Sequence, residues 1–346
     1  MMKRILINIL IAVSVISIVS ACGNTDEEKS SDNQDVIKLR FADYMPKNHF
    51  SSVNAQQVWI DRVEELTEGK VEIEYYPGEQ LGKASDSLDL VNTGAADIVN
   101  VPQAYVSGKM PLSSVASLPG LVDNIRQGSL ASFELINSDP VLNHDFLKNN
   151  VVPIFGYTTS TYEFWSVKKP ISQIEDLKGM KVRSQGGSAN LQIEALGATP
   201  VTISTAEQYE ALERGTIDST LSATASITSY KLDEVLNYAT LGAGGGTTLV
   251  FYLMDKEKWD SIPEDLQKKM QQATDEVLEE FITVSIENDE EIITGLSEEG
   301  IVEFIEIDKE EFAHVNEEVQ EKWIQENESI SSQETLDLFK EFLNKY

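Results

Sequence analysis

The chain has 346 residues, of which 27 are lysine or arginine and 58 are aspartate or glutamate, so its formal net charge is −31. This excess of acid argues against nucleic-acid binding, which depends on clustered basic side chains that displace counterions from phosphates. The length is sufficient for two domains of about 100 to 200 residues each.

The N-terminal segment is typical of an export signal. Two basic residues at positions 3 and 4 precede an apolar run over 5–19, which is shorter than the roughly 20 apolar residues of a membrane-spanning helix. The following VSAC sequence, 19–22, resembles the lipobox of bacterial lipoproteins, in which small residues leave the cysteine accessible to the lipid donor. We predict a signal peptide over 1–21 and lipid modification of Cys22; the alternative is an ordinary signal peptide followed by an unmodified cysteine.

The segment after Cys22 is small, polar and charged, and it contains no large apolar residue up to position 34. Such a segment cannot bury enough apolar surface to become ordered. We predict a lipidated tether over 22–35, a folded region from 36 to 346, and a location on the extracytoplasmic face of the cell membrane.

Strand and helix patterns alternate in the first part of the folded region. Apolar spacing predicts helices within 51–66 and around 88–91, and strands are predicted before, between and after them at 37–42, 71–76 and 98–101. This order indicates an α/β fold with a largely parallel sheet.

A second unit of the same kind begins near residue 161. Ser204 and Glu207 match an S-x-x-E capping box that opens a helix ending at Arg214. The other predicted elements are a helix at 188–196 and strands at 161–167, 181–183 and 201–203.

The last part contains a glycine-rich run, a strand and a long helix. The run at 242–246 lacks the Lys-Ser/Thr ending of a phosphate-binding loop and leads into an apolar strand, so we predict a hinge or turn. The helix that Pro263 opens is long enough to cross between two domains. We predict one lobe from 36–160 with about 249–288, and a second from about 161–248 with 289–346.

No catalytic or metal-binding motif is apparent. The histidines at 49, 144 and 314 lack the spacing of metal ligands, and the G-x-S-x-G nucleophile motif is absent. We therefore predict a receptor that is not an enzyme and that uses no metal and no cofactor. His49 follows the first strand, a favoured ligand position, although a lone histidine is more often a packing or surface residue.

One stretch favours anion binding. DLKGMKVR, at 176–183, is followed by a glycine pair and by a helix that starts at Ser188. The guanidinium of Arg183 can hold a carboxylate through two parallel hydrogen bonds, and a helix N-terminus beside it adds backbone N–H donors. From these residues alone, a surface salt bridge is the simpler interpretation.

The order of several motifs resembles the substrate-binding proteins of TRAP (tripartite ATP-independent periplasmic) transporters, the DctP-type family. The stretch at 176–183 is similar to that family's DLKGLKIR motif. Further similar segments, in the family's order, are EYYPGEQLGK at 74–83, GAADI at 94–98, LGATPV at 196–201, EQYEALERGTID at 207–218 and WDSIP at 259–263.

The resemblance extends from about residue 36 to the end of the chain and implies an α/β, two-lobed, periplasmic-binding-protein-like clamshell. It also implies a hinge, a long helix spanning both lobes, and a small organic acid held by Arg183. The implied partners are the membrane subunits of a TRAP transporter, and we expect a monomer. Three alternatives stay open: the receptor of an ABC-type importer, a sensory or adhesive lipoprotein, and a surface enzyme that uses the cleft.

Two departures from the family pattern concern the ligand. Tyr162 lies nearest the position of a second family arginine, and Ser222 falls in the run where the family has a ligand-binding asparagine. A hydroxyl at Ser222 can still donate, but more weakly. A monocarboxylate is therefore favoured over a dicarboxylate, with an apolar or aromatic body stacked on Phe164 or Trp165; packing within the strand is the alternative for both aromatic residues.

The residues predicted to bind the ligand are Arg183, which holds its carboxylate, and further residues from both lobes. Tyr209 can alternatively pack its own helix, and Gln103 can alternatively cap a turn. The full set is Arg183, Gln185, Tyr162, Trp165, Tyr209, Ser222, Gln103 and His49.

Overall fold

The structure, a computed structural model, describes residues 36–346. The predicted signal peptide, Cys22 and the tether lie outside the described residues. The eleven strands within this range are β1 (Ile37–Asp43), β2 (Val71–Tyr76), β3 (Ile98–Pro102), β4 (Val151–Thr158), β5 (Glu163–Ser166), β6 (Lys181–Ser184), β7 (Thr199–Thr202), β8 (Ser219–Ser222), β9 (Tyr238–Leu241), β10 (Leu249–Asp255) and β11 (Glu303–Glu306).

Twelve α-helices occur in the same range, and short 3₁₀ and π turns connect several of them. The helices are α1 (Gln57–Leu66), α2 (Ser87–Asn92), α3 (Gln103–Val106), α4 (Ile125–Ile136), α5 (Ile174–Leu177), α6 (Ser188–Ala195), α7 (Gln208–Glu213), α8 (Thr224–Ser229), α9 (Lys256–Ser261), α10 (Glu264–Glu298), α11 (Lys309–Glu326) and α12 (Ser332–Leu343).

The first lobe is built on a five-stranded sheet in the order β2-β1-β3-β10-β4. β1 pairs in parallel with β2 and β3, whereas β10 pairs antiparallel with β3 and β4. Only β10 is reversed, because it re-enters this sheet from the second lobe. The expected parallel arrangement therefore applies to the other four strands.

The second lobe is built on a six-stranded sheet in the order β11-β9-β5-β8-β6-β7. Here β5 is the reversed strand, antiparallel to both β8 and β9, and it is the strand that arrives from the first lobe. The predicted capping box is present, since the Glu207 carboxylate accepts hydrogen bonds from the backbone N–H and the hydroxyl of Ser204.

Two segments at 159–162 and 242–248 carry the chain between the sheets. They lie side by side, because the backbone N–H of Tyr162 donates to the carbonyl of Gly246 at 2.9 Å. A Cβ atom on Gly246 would clash with the carbonyl oxygen of Ser117, so this crossing requires glycine. The glycine-rich run predicted as a hinge or turn thus forms one of the connections between the lobes.

Helix α10 spans both lobes, as predicted. Leu266, Met270 and Phe281 pack into the core beside the first sheet. Further along the helix, Leu296 and the partly buried Ile292 pack into the core of the second lobe. At about 1.5 Å per residue, its 35 residues extend for roughly 50 Å. The fold is therefore the predicted two-lobed α/β architecture.

The C-terminal helices contact both lobes. Helix α11 packs against α6, whereas α12 packs against α4 and places Phe339 in the core beside the first sheet. The predicted division, 36–160 with about 249–288 against about 161–248 with 289–346, stays a prediction. Within 36–346, none of the helices combines the length and the apolar character that a membrane crossing requires.

Candidate functional site

A cavity lies between the two lobes, with an empty volume of about 540 Å³ including the part open to solvent. Aromatic and hydroxyl side chains dominate its walls, and no lysine or arginine of residues 36–346 lines it. The lining residues are Tyr44, Met45, His49, Phe50, Ser51, Ile125, Tyr157, Thr159, Ser160, Tyr162, Gln185, Thr205, Ala223, Ala225, Ser226, Tyr230, Thr248, Val250, Phe281, Ser285 and Asp289.

Arg183 lies at the end of β6, directly behind this lining, and is only 1% exposed. Its Nε donates to the carbonyl of Ile203 at 3.2 Å, and its Nη2 donates to Oγ1 of the lining residue Thr205 at 3.1 Å. No carboxylate of the described residues lies within salt-bridge distance of it. Burial lowers the pKa of Arg183, but a guanidinium remains charged in proteins. A buried cation without a counter-ion is costly, so its surroundings favour an anion.

A chain of hydrogen bonds connects Arg183 to the two segments that run between the lobes. The hydroxyl of Tyr162 donates to Oγ1 of Thr248 at 2.7 Å, which donates to Oε1 of Gln185 at 3.2 Å. The Gln185 amide donates to Oγ1 of Thr205 at 2.9 Å, the atom that also accepts from Arg183. Because this oxygen accepts two bonds, its own proton is available to a ligand.

Four tyrosines, Tyr44, Tyr105, Tyr162 and Tyr230, lie near the guanidinium, and all of them except Tyr105 line the cavity. Tyr105 also accepts a hydrogen bond from the backbone N–H of Thr205 at 3.3 Å. Each tyrosine combines an apolar ring with a polar tip, which suits an organic acid with a hydrocarbon body.

His49 lies in the cavity wall contributed by the first lobe. Its Nδ1 accepts from the backbone N–H of Ser51 at 3.1 Å, which places the proton of the neutral ring on Nε2. The ring lies 5.3 Å from that of Tyr230, centroid to centroid. Burial lowers the pKa of His49 to about 4, so the side chain is uncharged at neutral pH.

The wall formed by β4 and α10 carries polar groups of a different kind. The hydroxyl of Ser285 is buried and has no hydrogen-bond partner among the described residues, and the buried hydroxyl of Tyr157 has only the side chain of Ser51 beside it. Asp289 lies one helical turn beyond Ser285 on α10, and burial raises its pKa to about 6. This wall therefore offers hydrogen-bonding groups and an acid to the cavity.

Two predicted aromatic contacts lie elsewhere. Trp165 is buried in the core of the second lobe, where its indole N–H donates to the carbonyl of Ser222 at 3.2 Å. Phe164 packs in a neighbouring core cluster of the same lobe. Both are packing residues of β5, and neither lines the cavity. Ser222 is also buried in β8 without lining it, and the adjacent Ala223 does so instead.

Two further predicted contacts are engaged with other groups. The hydroxyl of Tyr209 donates to Glu234 at 2.9 Å at an exposed position. The amide of Gln103 donates to the carbonyl of Met110 at 2.8 Å, and the residue lines a small neighbouring gap rather than the main cavity. Of the eight predicted residues, Gln185, Tyr162 and His49 thus line the cavity, and Arg183 lies directly behind its lining.

The cavity contains groups that the sequence analysis did not identify, above all Thr205, Thr248 and Asp289. Thr205 could have been found, because it follows the capping residue at the end of a parallel strand, where ligands commonly bind. In the described part of the chain, no group of three or more histidine, aspartate, glutamate or cysteine side chains is arranged to hold a metal ion.

Comparison with known proteins places this geometry in a family. Residues 41–329 match DctP, the bacterial extracellular solute-binding protein, family 7. The C4-dicarboxylate-binding periplasmic protein DctP of Rhodobacter capsulatus is 24% identical over 259 residues, which is 72% of this chain and 74% of that protein.

Two crystal structures share the fold. One is a TRAP periplasmic solute-binding protein from Bordetella bronchiseptica with bound mandelate (TM-score 0.81, 22% identity, 89% of this chain and 99% of that one). The other is a TRAP solute-binding protein from Rhodoferax ferrireducens with copurified benzoate (TM-score 0.82, 22% identity, 90% and 98%). Because the family match extends over most of the described residues, the chain belongs to the bacterial extracellular solute-binding proteins of family 7.

Proposed function

We propose that this protein is an extracytoplasmic receptor that captures a small monocarboxylate and delivers it to the membrane subunits of a TRAP transporter. The observation that carries this proposal is Arg183, a buried cation at the edge of the cavity between the lobes that has no carboxylate partner in the described part of the chain. A ligand carboxylate at this edge supplies the missing counter-ion, and it can accept further hydrogen bonds from Thr205 and the nearby tyrosines.

The preference for one carboxylate is supported by the charges of the cavity wall. Among the described residues, no lysine or arginine lines it, so a second carboxylate would have no cation there to pair with. Tyr162, the residue nearest the position where the family usually has a second arginine, donates its hydroxyl to Thr248. Related proteins of the same fold that hold mandelate or benzoate support an acid with an aromatic body.

We further propose that Cys22 anchors the receptor to the membrane. The support is the VSAC sequence at 19–22 after an apolar export signal, together with a family of extracellular proteins. Cell fractionation of the natural host tests this proposal. A Cys22→Ser variant is expected to leave the membrane fraction, and a variant that stays there as fully as the wild type rules out the anchor.

Calorimetric titration tests the proposed role of Arg183 in binding the ligand carboxylate. We expect the wild type to bind benzoate or mandelate more tightly than succinate, and Arg183→Met to weaken monocarboxylate binding at least about 30-fold, because removing one partner of a buried charge pair costs about 2–5 kcal/mol. Arg126→Met is the matched control, since Arg126 pairs with Glu279 at an exposed site.

Folding of the variants is checked by circular dichroism and thermal unfolding without ligand. A folded Arg183→Met protein that binds monocarboxylates like the wild type contradicts the assigned role. A thermal-shift screen of the wild type in which sugars stabilise the protein and no carboxylate does so contradicts the ligand class, because a ligand specific for the native state must raise its stability.

A further inference from the structure

The cavity is chemically asymmetric. The cation Arg183 lies directly behind its β6 side, where it contacts the lining residue Thr205, whereas its α10 side is lined by the carboxyl group of Asp289. The groups that interact with Asp289 are the neutral Ser160, Asn288 and the backbone N–H of Ala225, and no cation of the described residues lies within salt-bridge distance of it. A lining carboxyl group without a counter-ion has hydrogen-bond acceptor capacity to offer a ligand.

Two buried hydroxyls, those of Ser285 and Tyr157, lie on the same side of the cavity as Asp289. Ser285 is 4% exposed and lies four residues before Asp289, so both side chains are on the same face of α10. Tyr157 is 1% exposed and comes from the adjacent strand β4. The Ser285 hydroxyl has no hydrogen-bond partner among the described residues, the Tyr157 hydroxyl has only the side chain of Ser51 beside it, and both residues line the cavity. Buried polar groups are normally paired, so an unpaired hydroxyl in a residue of the cavity wall indicates a site for a polar group of a ligand.

We propose that Asp289, Ser285 and Tyr157 form a second polar subsite that receives a hydrogen-bond donor of the ligand, a hydroxyl or an ammonium group, at the end opposite its carboxylate. The inference rests on the proposed function, because it presupposes that Arg183 holds that carboxylate. Like charges repel, so Asp289 directs the carboxylate of the ligand towards Arg183 and disfavours a second carboxylate at its own end. The subsite thus sets both the orientation and the chemical class of the ligand.

Matched ligands that differ by one donor group test the subsite. Calorimetry compares benzoate with its 3- and 4-hydroxy derivatives and with 4-(aminomethyl)benzoate. The effects of a hydroxyl and of an ammonium group on affinity are thereby measured separately. In the wild type we expect at least one donor-bearing acid to bind about 10- to 100-fold more tightly than benzoate, the range for a hydrogen bond to a charged group.

Three variants test whether the preference for donor-bearing acids depends on the residues of the subsite. Asp289→Ala is expected to lower the affinity for the donor-bearing acid, relative to that for benzoate, at least tenfold. The affinity for benzoate itself should stay equal or increase. Ser285→Ala should reduce the preference by a smaller factor, and it keeps the fold testable because its hydroxyl has no partner to lose. Glu287→Ala removes an exposed negative charge from the same helix and should leave every ratio unchanged.

The outcomes separate this inference from the proposed function. If the wild type binds benzoate but no donor-bearing acid more tightly, the subsite is wrong and the receptor function stands. An equal loss of all ligands in Asp289→Ala, with no change of ratio in Ser285→Ala, also contradicts the subsite. If no carboxylate binds the wild type, the proposed function and this inference fail together.

Discussion

At the scale of single residues, His49 makes the stability of the fold depend on pH. Its pKa is about 4 in the folded protein, because burial disfavours the charged ring, and about 6.5 in an unfolded chain. Between these values the unfolded chain binds a proton that the native protein does not. Stability contributed by the neutral ring is therefore lost as the pH falls from about 6.5 towards 4.

A His49→Asn variant isolates this contribution. Asparagine can keep the local hydrogen bond to the backbone N–H of Ser51 but does not titrate. We expect the wild type to lose about 2 kcal/mol relative to the variant between pH 7 and pH 5, measured by urea unfolding. Asp43 and Asp289 have pKa values that are raised to about 6, so they change the stability with pH in the opposite direction to His49. Both residues are present in both proteins, so their contribution cancels in the comparison. Identical pH profiles would show that His49 titrates normally.

The ligand site was partly predictable at this scale. Arg183 ends a predicted strand and Gln185 follows it closely, so their position at the edge of a sheet follows from the chain order. The position of Trp165 could not be predicted. Successive strand residues face opposite sides of a sheet, and the sequence does not show which side faces the cavity. Asp289 was not predictable, since one acid among 58 acidic residues carries no distinguishing pattern.

At the scale of elements, the glycine at position 246 controls the crossing between the lobes. Its backbone passes so close to the carbonyl of Ser117 that a methyl group would force one of the two segments to move. We expect Gly246→Ala to destabilise the protein by about 1–3 kcal/mol, the usual cost of overpacking. Denaturant unfolding measures this change, and displaced segments should weaken carboxylate binding as well.

Gly295 provides the control for this substitution. It lies within α10, and a Cβ atom there meets nothing within 4 Å. Gly295→Ala is therefore expected to stabilise the protein by about 0.5–1 kcal/mol, because alanine is the better helix former. Equal effects of the two substitutions would contradict a specific steric role for Gly246.

The elements themselves were largely predictable, whereas their connections were not. The strand at 71–76, the apolar strand after the glycine-rich run and the long helix that Pro263 opens were found because apolar periodicity and turn residues mark them locally. The reversed directions of β5 and β10 depend on where the chain crosses between the lobes. Periodicity does not encode that choice, and it likewise did not show that α12 packs against the first lobe.

At the scale of the whole molecule, the net charge of −31 opposes the approach of an anionic ligand. The single cation assigned to the ligand is buried behind the cavity lining, so its field is local, whereas the acidic side chains far outnumber the basic ones. Salt shortens the range of this repulsion, because the Debye length falls from about 30 Å at 0.01 M to about 8 Å at 0.15 M. The proposed function therefore predicts an unusual kinetic response to salt.

Stopped-flow measurement of benzoate binding should show an association rate that rises about two- to tenfold between 0.01 and 0.15 M sodium chloride, with a smaller change in the dissociation rate. Replacing the exposed Glu298, Glu317 and Glu321 by glutamine removes three negative charges outside the cavity and should flatten this dependence. An association rate that falls with salt would mean that the positive potential around Arg183 extends beyond the cavity and guides the ligand. In that case the acidic surface does not hinder capture, and the repulsion from Asp289 inside the cavity becomes the main electrostatic selection against dicarboxylates.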